Sequence, residues 1–415
     1  MRQKIPDGFA VSRNHLCWYD VDLVEVAERY GTPIIVYSKQ KIISNYGRIS
    51  NSFHNFTDNY SIKYAIKANS NPSILSLLRE TGAGVDASSY YEVMEALNSG
   101  FRSNNISYTA NNSSSKELKR MVDLGVKINF DSVGQFECLG GNIPESVSFR
   151  IKSDYGKGEF TGTTTSGHGA KFGEIPENAI TGYKKAKELG CKNFGIHIMT
   201  GSNVTDPEHF SKVAKDLSKI AVHISRQAGI EFEYIDIGGG FGVPYRPDDE
   251  ELDIERTAGL IFNEISKGFS GNGLAVPEIV MEPGRYIIAN AGVLLGTVYD
   301  IKHHEMNYVG TDIGMNILIR HALYGAYHHM VIANKMEEEA GFICEVTGQI
   351  CENTDRIGKG IVIPEPDVGD TIAVFNAGAY VRSMASNYNG RGFPQEILLE
   401  NKSEMIISSK DPGFM

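Results

Sequence analysis

Three stretches of the chain carry residue types that can do connected chemistry. A lysine closes the apolar run of "KYAIKANSNP" (63–72), three glycines follow one another in "DIGGGFG" (236–242), and an acid and a base flank a turn in "EPGR" (282–285). An amine such as that of Lys67 forms a Schiff base with an aldehyde cofactor when desolvation or nearby cations keep it deprotonated part of the time. Glycines at 238, 239 and 240 let backbone amides approach a phosphate, and Glu282 can hold a proton on a pyridine nitrogen, which makes the ring an electron sink. Each feature also has a plainer reading. A single lysine usually snorkels to solvent, and a single glycine run usually makes a tight strand-to-helix turn. The chemical reading rests on their company.

These groups need elements that bring them together. Read as a strand, Ile62, Tyr64 and Ile66 take one face and Lys63, Ala65 and Lys67 the other, which places Lys67 at the inward end of a strand. Seven further apolar runs fall at 83–89, 105–112, 127–132, 147–153, 194–202, 233–242 and 278–285. Segments with apolar residues at three- and four-residue spacing, such as "NPSILSLLRETG" and "DPEHFSKVAKDLSKIAVHIS", lie between them. Eight strands with intervening helices predict an α/β fold built on a closed (β/α)8 barrel whose chemistry sits at the carboxyl ends of the strands. An open doubly wound sheet is the alternative, since periodicity does not show closure. After Arg285 the runs become rich in β-branched residues and separated by Gly, Asn and Asp, which predicts an all-β domain over 286–415. The barrel is then expected over 39–285, with 1–38, through "PIIVYS", joining the β domain. The stretch 153–173 reads as a long Gly/Thr/Ser loop.

Composition narrows the function. Forty basic against fifty-one acidic residues give a net charge of −11 with no block of like charge, which disfavours nucleic acid as a partner and favours a small molecule. The five cysteines (17, 138, 191, 344 and 351) are odd in number, scattered and without a CxxC pair, a pattern of a reducing cytoplasm and of neither a disulfide framework nor a metal site. No apolar run approaches the roughly 20 residues that span a bilayer, and the amino terminus lacks an apolar export core.

"YAIKAN", "KFG", "DIGGGFG", "EPGR", "DIGMNILIRHALY", "CEN" followed by Asp355, and "GAYVRSMASNYNGR" occur in this order along nearly the whole chain. Together they resemble the fold-type III pyridoxal-phosphate decarboxylases, and within them the diaminopimelate decarboxylases. The resemblance implies a barrel with a β domain, pyridoxal 5'-phosphate as cofactor, a homodimer with shared active sites, and decarboxylation of meso-diaminopimelate to L-lysine. It implies that Lys67 is the Schiff-base lysine, and that Gly239, Gly240, Glu282, Pro283, Gly284 and Arg285 hold the cofactor. Arg285, Arg320 and Tyr324 resemble the residues that grip the distal carboxylate of the substrate, and Glu352 the one that takes its distal ammonium. Cys351 matches a proton donor reaching in from the partner subunit, and Tyr380 a residue touching cofactor and substrate. Their plainer readings are a buried apolar thiol for Cys351, core aromatics for Tyr324 and Tyr380, and a surface cation for Arg320.

The chemistry of the substrate bears on this set. Diaminopimelate carries an amino-acid group at each end, so a selective site needs an anion clamp beside an ammonium acceptor at the distal end, which two arginines and a glutamate supply. A decarboxylase for ornithine or lysine needs distal acids without the arginines. Three positions depart from the resemblance. Met199 in "HIMTGS" stands where relatives carry a histidine that stacks on the cofactor ring, His197 being the other histidine of that motif. Asn353 replaces a more usual serine, and His321 a proline. The rival expectations are a related decarboxylase for another amino acid, free or carrier-bound, and a cofactor-binding regulator without catalysis.

Overall fold

The computed structural model describes residues 2–409, so 410–415 of the expected β domain lie outside it. The chain divides into two compact units, one formed by 1–42, 244–250 and 288–415, the other by 43–243 and 251–287.

The second unit holds eight parallel strands: β1 (Tyr60–Ala65), β2 (Gly84–Ala87), β3 (Ile106–Ala110), β4 (Lys127–Phe130), β5 (Ser146–Arg150), β6 (Asn193–His197), β7 (Tyr234–Asp236) and β8 (Glu278–Met281). They pair in sequence, and β8 pairs with β1 to close the barrel. The open-sheet alternative is thereby excluded. Helices form where the sequence supplies both face and ends. In Pro72–Glu80, Asn71 accepts from the Ser73 amide, Pro72 opens the first turn, and Ile74, Leu75, Leu77 and Leu78 are buried. In Pro207–Ala228, Asp206 caps the start and Gly229, at φ +63°, ends it in a left-handed turn.

Outward-facing strand residues such as Tyr64, Phe130, Phe149 and Ile196 are fully buried apolar groups, and Phe149 meets the Tyr183 ring at 4.9 Å. The alternate residues make a polar interior. Ser148 Oγ donates to Asn129 Oδ1 at 3.0 Å, and Lys63 Nζ donates to the Asn105 carbonyl at 3.2 Å. Burial first, then the charge of Lys127, bring the Lys63 ammonium down to about 8 from an ordinary 10.5. A lysine depressed in the folded state costs stability wherever it stays charged, and that stability returns as pH rises from about 8 towards 10.5. Lys63→Met should therefore raise the unfolding free energy at pH 7 by roughly 2 kcal/mol, the desolvation cost less one lost hydrogen bond. It should also flatten the rise between pH 8 and 10. Urea denaturation at both pH values reads this, and a destabilised variant at pH 7 would mean that the bond to Asn105 outweighs desolvation.

One prediction about β1 is corrected. Strand parity does not aim Lys67, because β1 stops at Ala65 and Ile66–Ala68 form a single 3-10 turn. The asparagines draw the chain out of the sheet: Tyr64 Oη donates to the Asn69 carbonyl at 3.0 Å, and Asn69 Oδ1 accepts from the Asn71 amide at 2.9 Å.

The first unit is a mixed sheet. Gly292–His303 pairs antiparallel with Ile34–Ser38, Asn307–Thr311 and Thr371–Val374. Ile34–Ser38 in turn lies parallel to Gln395–Glu400. Trp18, Val293, Leu295, Val331 and Phe375 form its core, with Phe9 stacked on Trp18 at 4.7 Å. It also carries the helices Leu23–Tyr30 and Arg320–Tyr324, the second inside the stretch read as all-β. Among the described residues no helix is long and apolar enough to cross a membrane.

Candidate functional site

At the carboxyl end of the barrel, the turn after β1 presents Lys67, whose Nζ lies 3.0 Å from Asp86 Oδ2 at the end of β2. The Lys67 side chain is about half exposed and that of Asp86 fully buried. Burial, and then the charge of Glu282, push the Asp86 carboxyl up to about 7, with Lys67 opposing. Glu282 follows β8 directly. Burial works against its ionisation, but His197, Lys67 and Arg150 outweigh that and hold it down at about 2. Burial also lowers His197 against the opposing pull of Glu282, and His197 Nε2 lies 3.1 Å from Glu282 Oε2. Glu282 Oε1 is buried without a hydrogen-bond partner.

The turn after β7 is built for close approach. Gly238 and Gly240 have φ of +69° and +93°, and a Cβ on Gly239 would come within 2.4 Å of the Glu282 carbonyl. Asp236 Oδ1 accepts from the Gly238 amide at 2.8 Å. The Gly239 amide donates to Met199 Sδ at 3.2 Å, and the Gly240 amide has no acceptor among the described residues. Arg285 Nη2 donates to Ser202 Oγ at 3.1 Å. Pro283 and Gly284 fix the turn between Glu282 and Arg285: the Pro283 carbonyl accepts from the Ala65 amide at 3.2 Å, and a Cβ on Gly284 would sit 3.0 Å from Ala68 Cβ.

Lys67, Gly239, Gly240, Glu282 and Arg285 thus occupy neighbouring strand ends of one barrel. Asp86 and Arg150 belong with them and were not singled out from the sequence, nor was the pairing of His197 with Glu282. The alternation in "VSFRIKS" and "AGVDASS", which sets Arg150 and Asp86 on the inward face, was the available signal. A phosphate-bearing aldehyde of the pyridine class fits these residues. It needs an amine, an anionic acceptor for a ring nitrogen, and amides with an arginine for a phosphate, and the orphaned Glu282 oxygen and Gly240 amide are of the right kind. His197, Asp236 and Glu282 place donor atoms within 4.8 Å of one another, a spacing a metal ion could also use. The adjoining Lys67 and Arg150 cations oppose a further cation there.

The remaining predicted residues lie in the other unit. Arg320 is buried, with Nη1 donating to His328 Nε2 at 2.7 Å and its guanidinium 4.6 Å from the Tyr245 ring centre. His328 Nδ1 lies 2.9 Å from the Phe375 carbonyl, to which it donates, so its other nitrogen is an acceptor. Among the described residues Arg320 has no carboxylate partner. Its plain reading as a surface cation is corrected. His321 Nδ1 bonds the Ala326 carbonyl at 2.9 Å and closes the short helix that carries Arg320.

Cys351 and Glu352 sit in an exposed loop between Phe342–Thr347 and Arg356–Ile363. Buried Asp355 anchors this loop by accepting from the Ile350 amide at 2.7 Å. Cys351 is an exposed free thiol, which corrects its plain reading as a buried one. Glu352 accepts from Tyr388 Oη, and the Cys351 amide donates to Asn389 Oδ1 at 3.1 Å. Tyr324 and Tyr380 are partly exposed, Tyr380 with a left-handed φ of +59°, and neither is a core aromatic.

Comparison with known proteins places this geometry. The family model described as "Pyridoxal-dependent decarboxylase, pyridoxal binding domain" matches residues 39–289. A diaminopimelate decarboxylase of Thermoplasma acidophilum is 41% identical over 93% of this chain and 92% of its own length. One from Methanothermobacter thermautotrophicus is 39% identical over 98% and 95%. The crystal structure of diaminopimelate decarboxylase from M. jannaschii in complex with L-lysine superposes with a TM-score of 0.89 at 30% identity, covering 97% of this chain and 95% of that one.

Proposed function

Because the chain belongs to the pyridoxal-dependent decarboxylases, we propose that it binds pyridoxal 5'-phosphate and, as a homodimer with shared sites, converts meso-diaminopimelate to L-lysine and CO2. It is a carboxy-lyase of lysine biosynthesis, and its expected setting is the cytoplasm. When bound, the cofactor supplies an electron sink for the pair left behind as the carboxylate departs.

The protein's own part is to hold and to exclude. Lys67 would hold the cofactor through its aldehyde carbon and present it to the substrate amine. Ionised Glu282, hydrogen-bonded to His197, would keep a proton on the ring nitrogen. The Gly239 and Gly240 amides, Ser202 and the turn Glu282–Arg285 would hold the phosphate, which leaves the Arg285 guanidinium for the substrate. At the other end of the substrate, Arg320 with Arg285 and Tyr324 grips the distal carboxylate and Glu352 accepts from the distal ammonium, while Tyr380 contacts both ligands. Cys351 of the partner subunit delivers the proton that replaces the carboxylate at the α-carbon.

The observation that carries the substrate assignment in this chain is Arg320, a buried guanidinium whose partners among the described residues are an accepting imidazole and an aromatic face. A buried cation without a counter-charge is costly, and a substrate carboxylate relieves that cost. Purified protein loaded with pyridoxal phosphate should release L-lysine and CO2 in equal amounts from meso-diaminopimelate. Turnover confined to another amino acid would leave a related decarboxylase as the reading, and cofactor binding with no turnover of any amino acid would leave a regulator.

A further inference from the structure

We propose that Met199 is a peroxide-sensitive modification site whose oxidation closes the phosphate cradle, an inference that rests on the cofactor reading above. Met199 lies two residues past β6 and is partly exposed. Its Sδ accepts the Gly239 amide proton at 3.2 Å, and a Cβ on Gly238 would come within 2.9 Å of the same sulfur. The thioether therefore sits directly against the glycine turn, on an amide assigned to phosphate. Thr165 Oγ1 donates to the Met199 carbonyl at 3.0 Å and fixes its backbone.

Sulfur is a weak acceptor, so an incoming phosphate oxygen, which is charged, displaces it readily from the amide. In this state the methionine is a placeholder. Oxidation changes the competition. The sulfur lone pair attacks one oxygen of hydrogen peroxide, the O–O bond breaks, and a proton shift releases water. Sulfur is oxidised by two electrons to the sulfoxide and the peroxide is reduced to water. The new S–O oxygen is a far better acceptor and adds bulk where Gly238 leaves little room. It holds the Gly239 amide and occupies the position that a phosphate oxygen takes. Sulfoxide reduction restores the thioether, so the change is reversible.

The test titrates cofactor-free full-length protein with pyridoxal phosphate, following absorbance, in four states: untreated, peroxide-treated, treated then incubated with dithiothreitol alone, and treated then incubated with methionine sulfoxide reductase and dithiothreitol as its electron donor. Peptide mass spectrometry records the oxidation state of Met199. The expected result is a Kd raised roughly ten- to a hundredfold, the value of one hydrogen bond to a charged group, restored by the reductase and not by the thiol. Met199→Leu has its own Kd, and peroxide should leave that value unchanged. The inference is overturned if Met199 is oxidised without change in Kd, if affinity falls while Met199 stays reduced, or if the leucine variant loses affinity equally. Failure of the untreated wild type to bind the cofactor would overturn the cofactor reading, and this inference with it.

Discussion

Lys67→Ala protein is expected to lose lysine formation by roughly 10⁴-fold or more, the scale on which removal of a covalent catalytic group is felt. Borohydride reduction of the cofactor-loaded wild type should leave a pyridoxyl group on Lys67 in peptide maps. Geometry gives the reason for choosing this lysine. Lys63 lies on the inward face of β1 by strand parity, but it is buried and committed to the Asn105 carbonyl. Lys67 projects from the turn that follows the strand, half exposed, with Asp86 3.0 Å away to take or return a proton. A pyridoxyl group on Lys63, or none in loaded protein, would remove the assignment.

The same variant examines the shared site. If Cys351 serves the Lys67 of the partner subunit, chains inactivated at Lys67 and chains inactivated at Cys351 should regain activity when mixed under subunit exchange. Each heterodimer then holds one intact site. Exchange without recovery would place both groups in one chain.

The barrel was legible because each strand is a short apolar run closed by turn residues, and because eight of them alternate with amphipathic segments. The position of Lys67 was not, since β-periodicity continues through "YAIK" while the asparagine bonds of residues 69 and 71 end the strand at Ala65. The first sheet of the chain, Phe9–Ser12 with His15–Trp18 and Val21–Asp22, was missed for a related reason. Its turns place Arg13, Asn14, Tyr19 and Asp20 at positive φ without a glycine, so the usual hairpin signal is absent. The strand-end motifs Gly238–Gly240 and Glu282–Arg285 were readable as chemistry. Their interlock was not, because the hydrogen bond between His197 and Glu282 joins residues far apart in the chain. Met199 stood out only as a departure, and its bond to the Gly239 amide became visible in three dimensions.

Arg320→Leu should weaken turnover of meso-diaminopimelate far more than any residual turnover of L-lysine or L-ornithine. The wild type is expected to favour diaminopimelate over both by roughly 10⁴-fold, because a site built around polar partners rejects analogues that leave those partners unpaired. Arg320 meets that description: it is buried, its Nη1 is spent on a neutral His328, and its face lies against Tyr245. Lysine and ornithine lack the distal carboxylate, so with them the guanidinium stays desolvated and uncompensated. Removing one partner of a buried charge pair costs about 3 to 5 kcal/mol, and here that loss falls on diaminopimelate alone. Leucine also fills part of the vacated volume without a charge, which favours the analogues in relative terms. The comparison is of kcat/KM for the three substrates in both proteins, with thermal unfolding as a control because His328 loses a donor. Unchanged ratios in a folded variant, or a wild type that already prefers lysine or ornithine, would move the distal clamp away from Arg320 and leave a related decarboxylase as the better reading.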